Sequence, residues 1–149
     1  MSTVVREATP EDKPALVSFL TSEGLPADDV LSPGTVYWLA ETAAGEVIAS
    51  AGLEFGMDAG LLRSVATAER RRGEGLGKRM VQAAFEAARS RRLRRVYLFS
   101  TGAGGYFAGL GFVESSVEEL VIALPNAPQV LRFSSLGWLS TEVAWRLDL

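Results

Sequence analysis

The chain has 149 residues, 48% of them hydrophobic and 22% charged, with a formal net charge of −3, an ordinary globular composition that argues against disorder or fibrous structure. It contains neither cysteine nor histidine. That excludes disulfides, thiolate metal sites and cysteine nucleophiles, removes the commonest general base and metal ligand, and leaves acid–base chemistry to carboxylates, hydroxyls, lysine or water, with no metal expected.

In chain order, the opening "MSTVVREATPEDK" carries charge early and holds no long apolar run, so neither a signal peptide nor a membrane span is expected and a bacterial-type cytoplasmic protein is the default. "TVVREAT" reads as a strand; Thr9 then reads as an N-cap, with Pro10 at the first helical position, Asp12 in the first turn and Gly24 at the helix end. After the irregular "LPADDVLSPG", residues 35–42 and 46–55 form β-rich runs around an Ala-Gly turn, and "GMDAG" leads to a third run, "LLRSVAT". These predict an antiparallel meander. Residues 76–92 place Leu76, Met80, Ala83, Ala84, Phe85 and Ala87 at near-helical spacing. "VYLFS" suits a buried strand parallel to the one before that helix, as a right-handed crossover requires. "GGYFAGLGF" reads as a short helix closed by Gly111, "FVESS" as a strand, "LPNAPQVLRFSSL" as helical after Pro125 and "TEVAWRL" as a final strand. Tyr37, Trp38, Trp138 and Trp145 fall in β-like or loop segments, where burial is commoner than ligand contact. With no repeat, linker or low-complexity tract, the expectation is one α/β domain over residues 1–149, a mixed, mostly antiparallel sheet flanked by helices.

Ten of the fifteen basic residues fall between Arg70 and Arg95, with Glu69, Glu74 and Glu86 in or beside the stretch. Such a basic middle suits a polyanionic ligand. Its densest part, "ERRRGEGLGKRM", joins a strand to a helix. A Walker A loop would need glycine and Ser/Thr where Arg72 and Arg79 stand, and Gly73, Gly75 and Gly77 are spaced G-x-G-x-G, which is not the dinucleotide fingerprint. What remains is the physics common to both: small residues before a helix expose backbone N–H groups which, with the positive end of the dipole, bind a pyrophosphate, and Arg72 and Lys78 can add charge-assisted bonds. Nucleic acid ranks last as a partner, for want of an aromatic platform or reader motif, and no membrane partner is expected.

At these residues the sequence resembles the GNAT superfamily of acetyl-CoA-dependent N-acetyltransferases. Its signature Q/R-x-x-G-x-G/A is met by Arg72, Gly75 and Gly77, and "YFAGLGF" is similar to its later aromatic-x-x-x-G-F element. More narrowly the chain resembles the branch found with arsenic-resistance operons and the acetyltransferase domain of N-acetylglutamate synthases. A cysteine often seen near the end of that branch is absent where "SSLGWLS" stands, so any link to arsenic would run through acetylation of an amine-bearing compound. The resemblance implies that acetyl-CoA lies at the splay between the strand before the glycine loop and the next parallel strand. Val65, Ala66 and Thr67 would pair with the pantetheine arm, the amides of Arg72, Gly73, Glu74, Gly75, Leu76, Gly77 and Lys78 would cradle the pyrophosphate, and Phe107 would lie beside the cofactor. An N–H near Val65 would face the thioester oxygen.

The proton carriers are less marked. Many members have a glutamate on the strand before the signature, where this chain has Gly60, Leu61 and Leu62. Glu54 is the candidate base: period-two alternation around the "GMDAG" turn makes it a diagonal neighbour of Arg63, so the two form either an ion pair or a base beside a cation that holds a substrate carboxylate. An unpaired Arg63 in an apolar strand would be costly, so one of these must compensate it. The usual thiolate-protonating tyrosine is displaced, since Tyr106 comes first and Phe107 second; Tyr106 is expected to face the core, and Ser100 and Thr101 are alternative donors or water ligands. The expected acceptor is a small, amino-acid-like amine. A peptide or protein acceptor, and an acyl-CoA-binding protein without catalysis, stay open. An edge strand near the C-terminus would suit a homodimer.

Overall fold

The computed structural model describes residues 3–149. The elements are β1 (Thr3–Glu7), α1 (Lys13–Ser22), β2 (Thr35–Thr42), β3 (Val47–Phe55), β4 (Ala59–Thr67), α2 (Leu76–Ser90), β5 (Arg95–Phe99), α3 (Gly104–Gly109), β6 (Val113–Ser115), α4 (Val117–Ala123), α5 (Pro128–Leu136) and β7 (Ala144–Asp148). The strands form one seven-stranded mixed sheet in the order β1-β2-β3-β4-β5-β7-β6. β1 runs antiparallel to β2, and β7 antiparallel to both β5 and β6, while β4 and β5 are parallel over Ala59↔Arg95 to Leu61↔Tyr97. The parallel pair follows from α2, the crossover that returns the chain to the same end of the sheet.

The chain divides within β3 and β4 into two compact units. The first takes the residues up to Leu53 and Arg63–Ala87; the second takes Glu54–Leu62 and Ala88–Leu149. In the first, Leu16 and Leu20 of α1, Tyr37 and Leu39 of β2, Ile48 of β3 and Met80 and Ala84 of α2 have no accessible surface. The entry to α1 is a 3-10 turn over Pro10–Asp12, where the Asp12 carboxylate accepts the Thr9 N–H at 2.7 Å. In the second unit, Leu61, Tyr97, Leu120, Leu124, Val130 and Ala144 form one apolar cluster.

The helix expected after Pro125 is α5, which starts at Pro128; a further helix, α4, precedes that proline, and two expectations need correction. α4 is marked by Ser116, whose side chain accepts the Glu119 N–H at 3.0 Å, with Glu118 and Glu119 in the first turn. The third strand begins at Ala59, inside the segment read as a turn, because a tight loop closed by Gly56 N–H to the Ala59 carbonyl at 2.8 Å suffices. The C-terminal strand is interior, with hydrogen-bonded neighbours on both sides, and the edge beside it is the three-residue β6.

Candidate functional site

The residues singled out in the sequence fall on two stretches, one in each unit. In the first unit, β4 changes character at Ser64, which takes a left-handed backbone (φ 57°) inside a strand. That conformation costs a non-glycine residue about 1 kcal/mol. It is held by the Ser50 hydroxyl donating to the Ser64 carbonyl at 2.7 Å and by the Tyr37 and Ser64 hydroxyls at 3.0 Å. Gly52 lets the Tyr37 ring pass, since a Cβ there would lie 2.6 Å from it. Residues 59–63 are buried, whereas Ser64, Val65, Ala66 and Thr67 are half-exposed. A kinked strand end leaves backbone N–H and C=O groups for another extended chain.

Arg63 precedes the kink with its side chain 1% exposed, and its guanidinium donates to both oxygens of Asp29 at 2.7 and 2.8 Å. Asp29, in the irregular 25–34 segment, is a partner that the sequence reading did not include. Beyond Thr67 the chain makes a 3-10 turn over Glu69–Arg71, and the Arg72 Nε–H donates to the Thr67 carbonyl at 3.3 Å, tying the loop to the strand end. Gly73 and Gly75 are left-handed (φ 89° and 78°), and a Cβ at either would meet nothing within 4 Å. Backbone conformation, and not space, requires glycine there. Buried Leu76 seats the start of α2, and Arg79 N–H to the Gly75 carbonyl at 3.1 Å opens its ladder. The amides of Leu76, Gly77 and Lys78 therefore have no intrahelical acceptor. No acid lies in that first turn, Lys78 is exposed, and the Glu74 carboxyl is held below its usual range by Arg71, 2.8 Å away. A loop built this way suits a pyrophosphate.

In the second unit, β5 ends at Ser100, which is tied three ways. Its N–H donates to the Val143 carbonyl at 2.9 Å, its carbonyl accepts the Trp145 indole N–H at 3.0 Å, and its hydroxyl oxygen accepts the Ala103 N–H at 3.0 Å. The Trp145 ring lies over Gly104, where a Cβ would be 2.5 Å from it. Thr101 is exposed. On α3 the expectation that Tyr106 faces the core is reversed: Tyr106 is 46% exposed and Phe107 only 7%, packed edge-to-face on Phe112 at 5.8 Å. The one-residue shift of the aromatic pair on a short helix turns Phe107 inward. Partial shielding pushes the Tyr106 phenol above its ordinary value, so it stays protonated at neutral pH. Glu54 has no accessible surface, and its carboxylate accepts the Gln129 N–H at 3.0 Å in the first turn of α5. Of the other aromatic residues, Tyr37 and Trp38 are buried as expected, whereas Trp138 is exposed beside Phe133.

A model of the acetyltransferase (GNAT) family matches residues 5–112, from β1 through the glycine loop to the end of the α3 segment. The chain belongs to the GNAT acetyltransferase family. Acetyl-CoA is thereby its cosubstrate, and the strand–loop–helix geometry of the first unit fits that ligand. Among solved structures, N-acetylglutamate synthase from Neisseria gonorrhoeae, complexed with coenzyme A and N-acetyl-glutamate, is 22% identical with a TM-score of 0.76; the alignment covers 100% of this chain and 35% of that one. This chain thus spans about a third of the synthase. Rv2747 from Mycobacterium tuberculosis, in complex with CoA and a second ligand, is 23% identical with a TM-score of 0.76, covering 98% of this chain and 99% of that one. A GNAT-family acetyltransferase from Staphylococcus aureus is 15% identical with a TM-score of 0.79, covering 99% of both chains. At these identities the likeness establishes the fold. No curated protein matches the sequence.

Proposed function

We propose that this GNAT acetyltransferase moves the acetyl group of acetyl-CoA to the amine of a small, amino-acid-like molecule by direct attack on the thioester. The observation that carries the reading is the continuous run from the kink at Ser64 to Lys78: a half-exposed strand end, two left-handed glycines and a helix start free of acids. Val65, Ala66 and Thr67 pair with the pantetheine arm, and the amides from Arg72 to Lys78 hold the pyrophosphate, with Lys78 adding a charge. A backbone N–H near Val65 donates to the thioester oxygen as it becomes negative, a contribution of about 3 kcal/mol for one preorganised donor. Orienting the two substrates supplies much of the remainder. Phe107 acts from inside, by fixing α3.

The acceptor class is supported by the N-acetyl-glutamate carried by the Neisseria gonorrhoeae synthase. Arg63, with its guanidinium on Asp29, holds the 25–34 segment in place for that acceptor, and Glu54 does the same for the start of α5; both are positioning residues on this reading. Tyr106 and Thr101 offer hydrogen bonds to the departing thiolate. A thiol of pKa about 8.5 leaves without needing a full proton from a phenol whose pKa lies higher. A role in arsenic resistance would use the same chemistry on an amine-bearing compound.

The test is thiol release from acetyl-CoA with a panel of amino acids and of amines lacking a carboxylate. Release that depends on the amine and favours amino acids is the expected result. Acetyl-CoA binding without release for any member of the panel would overturn the reading.

A further inference from the structure

We propose that Ser50 and Tyr37 are positioning residues that aim the Val65 N–H at the thioester oxygen, Ser50 by fixing the peptide group and Tyr37 by fixing the kink before it. The proposal rests on the transferase reading above, in which that N–H is the oxyanion donor. Tyr37, Ser50, Gly52, Arg63, Ser64 and Val65 all lie in the first unit.

The Val65 N–H and the Ser64 carbonyl belong to one peptide group. No peptide bond among the described residues is cis, and in a planar trans peptide the N–H and the C=O point in opposite directions. The Ser64 carbonyl accepts the Ser50 hydroxyl at 2.7 Å. Whatever fixes that carbonyl fixes the N–H as well, so the Val65 N–H is aimed away from Ser50, on a residue that is half-exposed. An oxyanion donor works only when its direction is set before the charge develops.

A second set of bonds holds Ser64 itself. Its hydroxyl oxygen accepts the Arg63 Nε–H at 3.3 Å and lies 3.0 Å from the Tyr37 hydroxyl. The Tyr37 ring has no accessible surface and rests on Gly52, so its hydroxyl is delivered by a side chain that cannot swing. The left-handed backbone at Ser64 costs about 1 kcal/mol, and each hydrogen bond contributes about 1 kcal/mol net. Three bonds therefore hold the kink, but only the one from Ser50 sets the rotation of the peptide that follows it.

Burial makes Ser50 hard to explain by packing alone. Ala49, Ser50 and Ala51 all have no accessible surface, and an alanine at position 50 would bury no polar group. A hydroxyl there costs about 1–3 kcal/mol unless it is bonded. Its bond goes to the carbonyl that adjoins the oxyanion donor. A supporting side chain of this kind holds a site's geometry without touching the substrate.

The experiment records the infrared stretch of acetyl-CoA carrying carbon-13 at the thioester carbonyl, free and bound, for wild type, Ser50→Ala and Tyr37→Phe. Calorimetric affinity and thiol release with the amino-acid panel are measured on the same samples. A hydrogen bond to the oxygen lowers the stretch, so a downshift on binding is expected in wild type. In Ser50→Ala the downshift shrinks and kcat falls about tenfold, part of what a whole oxyanion donor supplies, while acetyl-CoA affinity and the KM for the amine change little. Tyr37→Phe loses less, in the same direction. A Ser50→Ala protein with the wild-type downshift and kcat overturns the proposal, as does one that loses acetyl-CoA affinity in proportion to kcat, the mark of a merely structural residue. Should Ser50→Ala not fold, the same two results in Tyr37→Phe overturn it. A wild-type protein that binds acetyl-CoA with no downshift overturns it as well. A wild-type protein that shows the downshift and releases no thiol with any amine overturns the transferase reading instead.

Discussion

The loop from Arg72 to Lys78 and the buried charges Arg63 and Glu54 are built on opposite principles. The loop is exposed, and its shape comes from the chain itself, through two left-handed glycines and a helix start. Arg63 and Glu54 are buried and take their geometry from partners far along the chain, Asp29 and Gln129. The first kind of site is available to a ligand at once, because its donors are the backbone amides of an exposed loop and a helix start. The second trades reach for rigidity, since a charge satisfied inside the protein is costly to disturb and poorly placed to touch a substrate.

Substitutions break this comparison in graded steps. The largest effect belongs to Asp29→Ala, which leaves the Arg63 guanidinium buried beside the lost carboxylate. A loss of about 3 kcal/mol is expected in urea unfolding, with acetyl-CoA affinity of the folded protein little changed. Glu54→Gln keeps an acceptor for the Gln129 N–H and removes its charge, so a loss of about 2 kcal/mol is expected, with kcat within twofold of wild type. A kcat drop well beyond that would return Glu54 to the reaction. Gly75→Ala meets no steric obstacle yet strains the left-handed backbone. The prediction is a tenfold weaker acetyl-CoA Kd, about 1.4 kcal/mol, without change in the unfolding midpoint beyond that strain.

The smallest effect lies in the acid limb of stability. Asp12 is held well below the usual carboxylate range, first by Arg6, 2.8 Å away, and then by the Thr9 N–H. A depressed carboxyl stabilises the folded state above its unfolded pKa of about 4, and that contribution is lost as pH falls through the folded value. Arg6→Gln should therefore flatten the decline of stability below about pH 4 while leaving its shape near neutrality unchanged. An unaltered acid limb would mean the pair is too exposed to matter.

The same contrast explains what could be read from the sequence. Glycine at a strand–helix junction is a backbone requirement written in residue identity, so the loop, α2 and the parallel return of β5 were legible. Ser64 carries no such mark. A serine in a left-handed strand position is imposed by Ser50, Tyr37 and the gap left by Gly52, all of which are distant in sequence. Asp29 sits in a polar, irregular run in which nothing distinguishes it from Asp28. α4 is ambiguous in the sequence: Ser116, Glu118 and Glu119 spell a helix start, but "LVIAL" fits an apolar strand equally well. The interior place of β7 follows from tertiary pairing with β5 and β6, which no local pattern encodes.

The central claim is that the segment from Ser64 to Lys78 holds acetyl-CoA, with the pyrophosphate on the loop amides. Calorimetric titration of the wild-type protein with acetyl-CoA, CoA and pantetheine tests it most directly, because pantetheine keeps the arm that pairs with β4 and lacks the pyrophosphate. Saturable binding of acetyl-CoA and CoA, with pantetheine at least a hundredfold weaker (about 2.7 kcal/mol), is the result predicted. No binding of acetyl-CoA, or pantetheine binding as tightly as CoA, would contradict it.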